Sequence, residues 1–256
     1  MMPELPSHVR GLRRWNLGAC ALHLASGVAV VAIANDFSLP VNASWAQGPP
    51  GTTDSWPAQH LFDVPVAWAA ASFALLSALA HLLVATVGWQ HYRRGLIESG
   101  INRFRWLEYS LSSSLMIVLI AQLTGIFDVA ALLALVGVNT SMILFGWQMD
   151  ARNADRRQMG SGPAWSPFWF GCSAGIVPWI AIGVYLLGAP QVPGFVYGIY
   201  VSLFAFFNVF AAVMLLEYAR IGPWRRVLVA ERTYIALSLT AKVALTWQVA
   251  ANTLLD

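Results

Sequence analysis

The stretch Leu237-Ser-Leu-Thr-Ala-Lys-Val-Ala-Leu-Thr-Trp247 decides the reading of this chain. It holds Lys242, the one lysine in 256 residues; the other fourteen of the fifteen Lys and Arg side chains are arginines. Lys242 lies near the middle of the apolar run Thr233–Leu254. A lone ammonium at the centre of a membrane helix costs roughly 2.5–3.5 kcal/mol on insertion scales. Such a lysine either snorkels to the interface or carries a function. Mostly apolar sequence on both sides disfavours snorkelling. Lysine, unlike arginine, can lose its proton and condense with an aldehyde to a Schiff base.

Composition sets the class. Hydrophobic residues make up 58% and charged residues 11%, against roughly 25% charged in soluble domains, and the mean hydropathy is +0.61. Seven apolar runs follow one another: Trp15–Asn35, Val64–Trp89, Phe104–Ile126, Val129–Trp147, Pro167–Leu187, Phe195–Tyr218 and Thr233–Leu254. Each is long enough to cross about 30 Å of hydrocarbon. The expected architecture is an all-α membrane protein, one seven-transmembrane-helix domain over residues 1–256. Met1–Arg14 has no cleavable signal pattern, so the first run reads as a retained helix.

The arginines set the expected orientation. Arg10, Arg13 and Arg14 precede the first run; Arg93, Arg94, Arg103 and Arg105 lie around the second connection. Arg152, Arg156 and Arg157 fall in the fourth, and Arg220, Arg225, Arg226 and Arg232 in the sixth. The alternate connections, Asp36–Asp63, Gly125–Asp128 and Gly188–Gly194, and the C-terminus carry neither Lys nor Arg. The positive-inside rule then puts the N-terminus in the cytoplasm and the C-terminus outside, in the plasma membrane. The long first external loop has a Gly-Pro-Pro-Gly turn signal between β-branched and aromatic residues, a pattern compatible with a short β-hairpin. The net charge of +3 is absorbed by topology, and nucleic-acid binding is not expected. Cys20 and Cys172 read as small residues of apolar segments rather than as a disulfide.

A charged amine needs a carboxylate partner. Asp36, Asp63, Asp128, Asp150, Glu217 and Glu231 read as helix-end or loop residues, which leaves Glu108 on the third run as the intramembrane acid. The Lys242 Cα lies about 15 Å into its helix and Glu108 about 10 Å into its own. Helical side chains lean toward the helix N-terminus, which brings the ammonium to the level of Glu108. Ser238, at i−4 from Lys242, faces the same side, and Ser112 stands at i+4 from Glu108. Either serine could instead bond back to its own helix. His23 and His81 are the other intramembrane ionisable groups, candidates to hold or pass a proton or ordinary structural histidines. No metal-ligand spacing, Ser-His-Asp arrangement or phosphate-binding glycine loop is present, and no enzymatic activity is expected.

These residues resemble a known family. Seven helices, a lysine in the seventh and a carboxylate in the third are similar to the retinal-binding microbial rhodopsins, and an internal N-terminus resembles their heliorhodopsin branch. The likeness is carried by Arg105-Trp-Leu-Glu-Tyr-Ser-Leu-Ser-Ser-Ser114, Asn139-Thr-Ser-Met-Ile-Leu-Phe-Gly-Trp147, Phe170-Gly-Cys-Ser-Ala-Gly-Ile-Val-Pro-Trp179, Val192-Pro-Gly-Phe-Val-Tyr-Gly198 and the Leu237–Trp247 segment. It implies all-trans retinal on Lys242 as a protonated Schiff base, Glu108 as counter-ion, and Ser238 and Ser112 as hydrogen-bonding neighbours. It further implies a retinal pocket containing Tyr109, Asn139, Met142, Trp179 and Phe207. Arg105 matches the arginine one turn before the counter-ion, and His23 and His81 match histidines of a cytoplasmic-side polar cavity. A homodimer joined partly by the first loop is also implied.

One departure bears on function. Pumps of the wider superfamily carry a second carboxylate eleven residues after the counter-ion; here that position is Leu119. The resulting expectation is a light-sensing receptor that signals to a cytoplasmic partner. The alternatives are a light-gated proton or ion conductor, and a seven-helix protein that handles lipid or modulates an enzyme without a chromophore.

Overall fold

The computed structural model describes residues 7–49, 51 and 56–254, with side chains from residue 11 onward. Arg10's side chain and part of the Gly-Pro-Pro-Gly turn lie outside the described residues. The helices are α1 (Ser7–Ala32), α2 (Val66–Ala85), α3 (Trp89–Glu98), α4 (Arg103–Leu123), α5 (Val129–Gln158), α6 (Ser166–Gly188), α7 (Gly194–Tyr218) and α8 (Val227–Thr253). Six of them, α1, α2, α4, α5, α6 and α7, are long and apolar enough to cross a membrane. The seventh long helix, α8, carries Glu231, Arg232 and Lys242. Neighbour contacts run α1–α2–α4–α5–α6–α7–α8 and back to α1, a closed ring in which α6 and α7 touch least.

The expected hairpin is present. Strands β1 (Ser38–Ala43) and β2 (Gln59–Pro65) pair antiparallel from Ser38 opposite Pro65 to Ala43 opposite Gln59, with an irregularity between Val41 and Asn42. They cap one end of the bundle: Asn42 N–H donates to Phe127 O at 2.9 Å, Gln122 Nε2 donates to Pro40 O at 3.3 Å, and Val41 is buried. The opposite end is the arginine end.

Local chemistry explains where the helices start. Asn102 caps α4 by accepting from Arg105 N–H at 3.1 Å, and Asp128 caps α5 by accepting from Ala130 and Ala131 N–H. Gly100 and Gly125, at φ +71 and +97, make the left-handed turns before α4 and after it. Gly88 closes the α2–α3 turn with its N–H on Leu83 O at 2.7 Å, where a Cβ would strike Leu83 O and the Phe104 ring.

Several boundaries differ from the sequence reading, among them the start of α1 at Ser7 rather than Trp15. The helix holding Lys242 begins at Val227 rather than Thr233, and α5 continues eleven residues beyond Trp147, so Arg152, Arg156 and Arg157 ride on a helix rather than a loop. Arg93 and Arg94 lie on α3, whose Trp89, Tyr92 and Leu96 face inward. Hydropathy marks where a helix leaves hydrocarbon, whereas the backbone stays helical as long as polar residues can point into water.

The two halves of the bundle differ. Toward the hairpin the interior is a packed apolar core built around Phe73, Met116, Ile117, Leu119, Ile120, Ile199, Leu203, Leu245 and Val249. Toward the arginine end it holds charged and aromatic side chains in mutual contact.

Candidate functional site

Lys242 and Glu108 meet on the axis of the bundle. Lys242 Nζ donates to Glu108 Oε1 at 2.5 Å and to Ser238 Oγ at 3.0 Å. Both charged side chains are buried, at 4% and 7% exposure. Buried ions persist only when paired and hydrogen-bonded, and this pair has both kinds of support. Ser77 on α2 donates to the same Glu108 oxygen at 2.5 Å, and the ammonium lies 5.3 Å from the centre of the Tyr109 ring. Ser77 was missed by the sequence reading. It is one small hydroxyl in an apolar run, and only the α2–α4 contact brings it to Glu108. Ser112, fully buried one turn beyond Glu108, makes no hydrogen bond through Oγ.

The amine stands at the wall of a long apolar cavity with about 1130 Å³ of unfilled space, counting its open mouth. Tyr109, Met142, Trp179 and Phe207 line it, as do Ser112 and Ser238. Trp106, Phe168, Phe204 and Met214 complete much of the wall. Trp179 is wedged edge-on against Tyr200, Phe204 and Phe207, with ring centres 5.6, 5.4 and 5.3 Å away. The cavity reaches the lipid-facing side between α6 and α7, where Cys172, Ile176 and Asn208 are both lining and exposed. Cys172 is therefore a wall residue rather than core filling; both cysteines are free.

Asn139 is not among the residues that line the cavity. Its amide donates to Ser113 Oγ at 2.7 Å and Ser114 Oγ at 3.0 Å, fastening α5 to α4 behind the wall. The helical phase turns it toward the α4 serines, where its polar group is satisfied.

A second, smaller cavity lies on the arginine side of the pair. Asn16, His81, Asn102, Arg105, Glu108, Tyr109 and Glu231 line it. His81 Nδ1 is 2.8 Å from Asn16 Oδ1, and its ring stacks on His23 with centres 5.6 Å apart. His23 is fully buried, and neither ring nitrogen has a protein partner.

Arg105 anchors the largest departure from the sequence reading. Its guanidinium donates to Glu231 Oε2 at 2.6 Å and Asp150 Oδ2 at 3.3 Å, between the rings of Trp106 and Tyr234 at 4.8 and 4.2 Å. Glu231 also accepts from Tyr92 and Asn102; Asp150 also accepts from Trp106 Nε1 and Tyr218 Oη. Asp150 and Glu231 thus lie buried within α5 and α8 rather than at helix ends or in loops, while Glu217 does stand at the end of α7, where it is buried as well. The signal was available: an arginine inside an apolar run requires carboxylates at its own depth.

The donor set fits an aldehyde-bearing polyene: one amine, a paired carboxylate, and an elongated apolar cavity leading away from them. Comparison with known proteins agrees. A family model described as Heliorhodopsin matches residues 12–254. Among solved structures, a light-driven proton pump from Leptosphaeria maculans is similar over 97% of this chain and 96% of its own, with a TM-score of 0.60 and 14% identity. That likeness concerns the fold. No curated protein matches the sequence. The chain belongs to the heliorhodopsin family, multi-pass membrane proteins of the rhodopsin fold whose chromophore is retinal.

Proposed function

We propose that this protein is a light sensor in which retinal is held on Lys242 as a protonated Schiff base with Glu108 as counter-ion. The observation that carries the reading is the placement of the chain's one lysine at the wall of the apolar cavity, with Nζ on Glu108 Oε1 at 2.5 Å. Bound retinal supplies light absorption and a change of shape. The residues do the rest. Glu108 balances the positive charge and Ser77 holds the carboxylate in place. Ser238 supports the nitrogen. Tyr109, Met142, Trp179 and Phe207 confine the polyene and exclude water from it.

Signalling is favoured over pumping by the asymmetry of the interior. A proton relay needs acceptors and donors through the whole membrane. On the hairpin side of Lys242, Leu119 stands where pumps place a donor, inside the apolar core of Met116, Ile120, Leu245 and Val249. The buried ionisable groups gather on the arginine side. By the arginine distribution that side faces the cytoplasm in the plasma membrane, where an unidentified partner would read the change. The hairpin, with Leu61 and Phe62 exposed, is the proposed contribution of the first loop to a homodimer.

The test is a visible absorption spectrum of the protein expressed with all-trans retinal, beside Lys242→Arg. A band that disappears in the variant supports the reading; absence of a band in the unaltered chain rejects it. Light-evoked currents in a patch-clamped cell would instead support the conductor.

A further inference from the structure

Trp106 takes part in both the cavity and the charged network. Its indole lines the cavity, and its Nε1 donates to Asp150 Oδ2 at 2.8 Å. The other Asp150 oxygen accepts from Tyr218 Oη at 2.6 Å, at the arginine end of α7. Trp106, Met149, Phe168, Met214 and Tyr218 form one apolar cluster beneath these bonds.

Asp150 therefore joins the cavity wall on α4 to the end of α7. A second link lies beside it. Arg157, near the end of α5, donates to Glu217 Oε1 at 3.1 Å and stacks over the Tyr218 ring at 4.5 Å. Two adjacent residues of α7, Glu217 and Tyr218, are thus clasped by two residues of α5, Asp150 and Arg157. This clasp gathers hydrogen bonds, an ion pair and a cation–ring contact between α5 and α7 at one end, above the apolar cluster.

We propose that Asp150 is the positioning residue through which the state of the cavity reaches the arginine-end face. This rests on the light-sensing reading above. Trp106 would take up any change of shape in a chromophore bound in the cavity it lines, and it has no room to retreat toward α5 because its ring already lies against Gly146. Weakening the Trp106 bond unbalances the Asp150 carboxylate, which also serves Arg105. The Tyr218 and Glu217 contacts then loosen, and α7 parts from α5 at the face bearing Arg152, Arg220, Arg225 and Arg226. No proton transfer is required; hydrogen bonds to a buried charge are exchanged among fixed donors.

Amide hydrogen exchange of the retinal-loaded full chain, in darkness and under continuous light, tests this on segments 150–160 and 214–226. Light is expected to raise exchange in both segments. Tyr218→Phe, which keeps the ring and removes the donor, is expected to raise dark exchange there several-fold and to shrink the increment from light. Glu217→Gln, which weakens the other link, is expected to do the same to a smaller degree. A chain that shows its visible band yet no light-dependent exchange in these segments overturns the proposal. So does a dark level in both variants equal to the parent's. Loss of the visible band in the unaltered chain rejects the light-sensing reading itself, and the proposal with it.

Discussion

Ser77 and Lys242 share one oxygen: each donates to Glu108 Oε1 at 2.5 Å, one from α2 and the other from α8. The carboxylate charge is drawn toward a single atom held between two helices. Ser77→Ala removes the neutral donor and leaves that charge to the amine. The retinal band of this variant is expected to shift to shorter wavelength, because a less shared counter-ion stabilises the positive nitrogen more in the dark state. An absorption spectrum checks it, and an unmoved band would show that Ser77 does not reach the counter-ion in the loaded protein.

Glu108→Gln should have a larger effect. Removing one member of a buried ion pair typically costs about 3–5 kcal/mol because the other charge is left unpaired. The variant is expected to lose its visible band to the near-ultraviolet, as the nitrogen sheds a proton it can no longer stabilise. Spectra over a range of pH check this, and a full visible band at neutral pH contradicts the counter-ion assignment.

The Arg105 network predicts a contrast in stability. Arg105→Leu leaves Asp150 and Glu231 buried without the cation they share, a loss of about 3–5 kcal/mol. Asn139→Leu breaks only neutral bonds to Ser113 and Ser114 and should cost about 1–3 kcal/mol. Thermal bleaching rates should therefore rank Arg105→Leu well above Asn139→Leu, and the reverse order would refute the ion-network account.

Two glycines in the cavity wall differ in what they face. A Cβ at Gly146 would collide with the rigid Trp106 indole, whereas one at Gly175 would meet the thioether end of Met142. Gly146→Ala is expected to lower retinal loading and cost about 1–3 kcal/mol, the usual range for overpacking. Gly175→Ala should load nearly as the parent, since a methionine end can swing aside. Pigment yield per milligram of protein separates the two.

Much of this protein could be read from its primary structure. Seven apolar runs, one-sided arginines and a single buried amine define a membrane bundle, because the cost of ions in hydrocarbon acts on composition directly. Lys242 and Glu108 were legible for the same reason, with helical geometry supplying their common level and, by the i−4 spacing, placing Ser238 beside the amine. The contacts of Ser77, Asn139, Asp150, Glu217 and Glu231 were not. Ser77 is an unremarkable hydroxyl until α2 packs on α4, and Asn139 faces the α4 serines rather than the cavity only through the phase of α5. The three acids lie near the ends of apolar runs, where solvent and a buried arginine are equally good partners on sequence grounds. Which one each acid meets depends on how far each helix continues and how it rotates against its neighbours. Those are properties of packing between segments distant in the chain, and only the tertiary structure decides them.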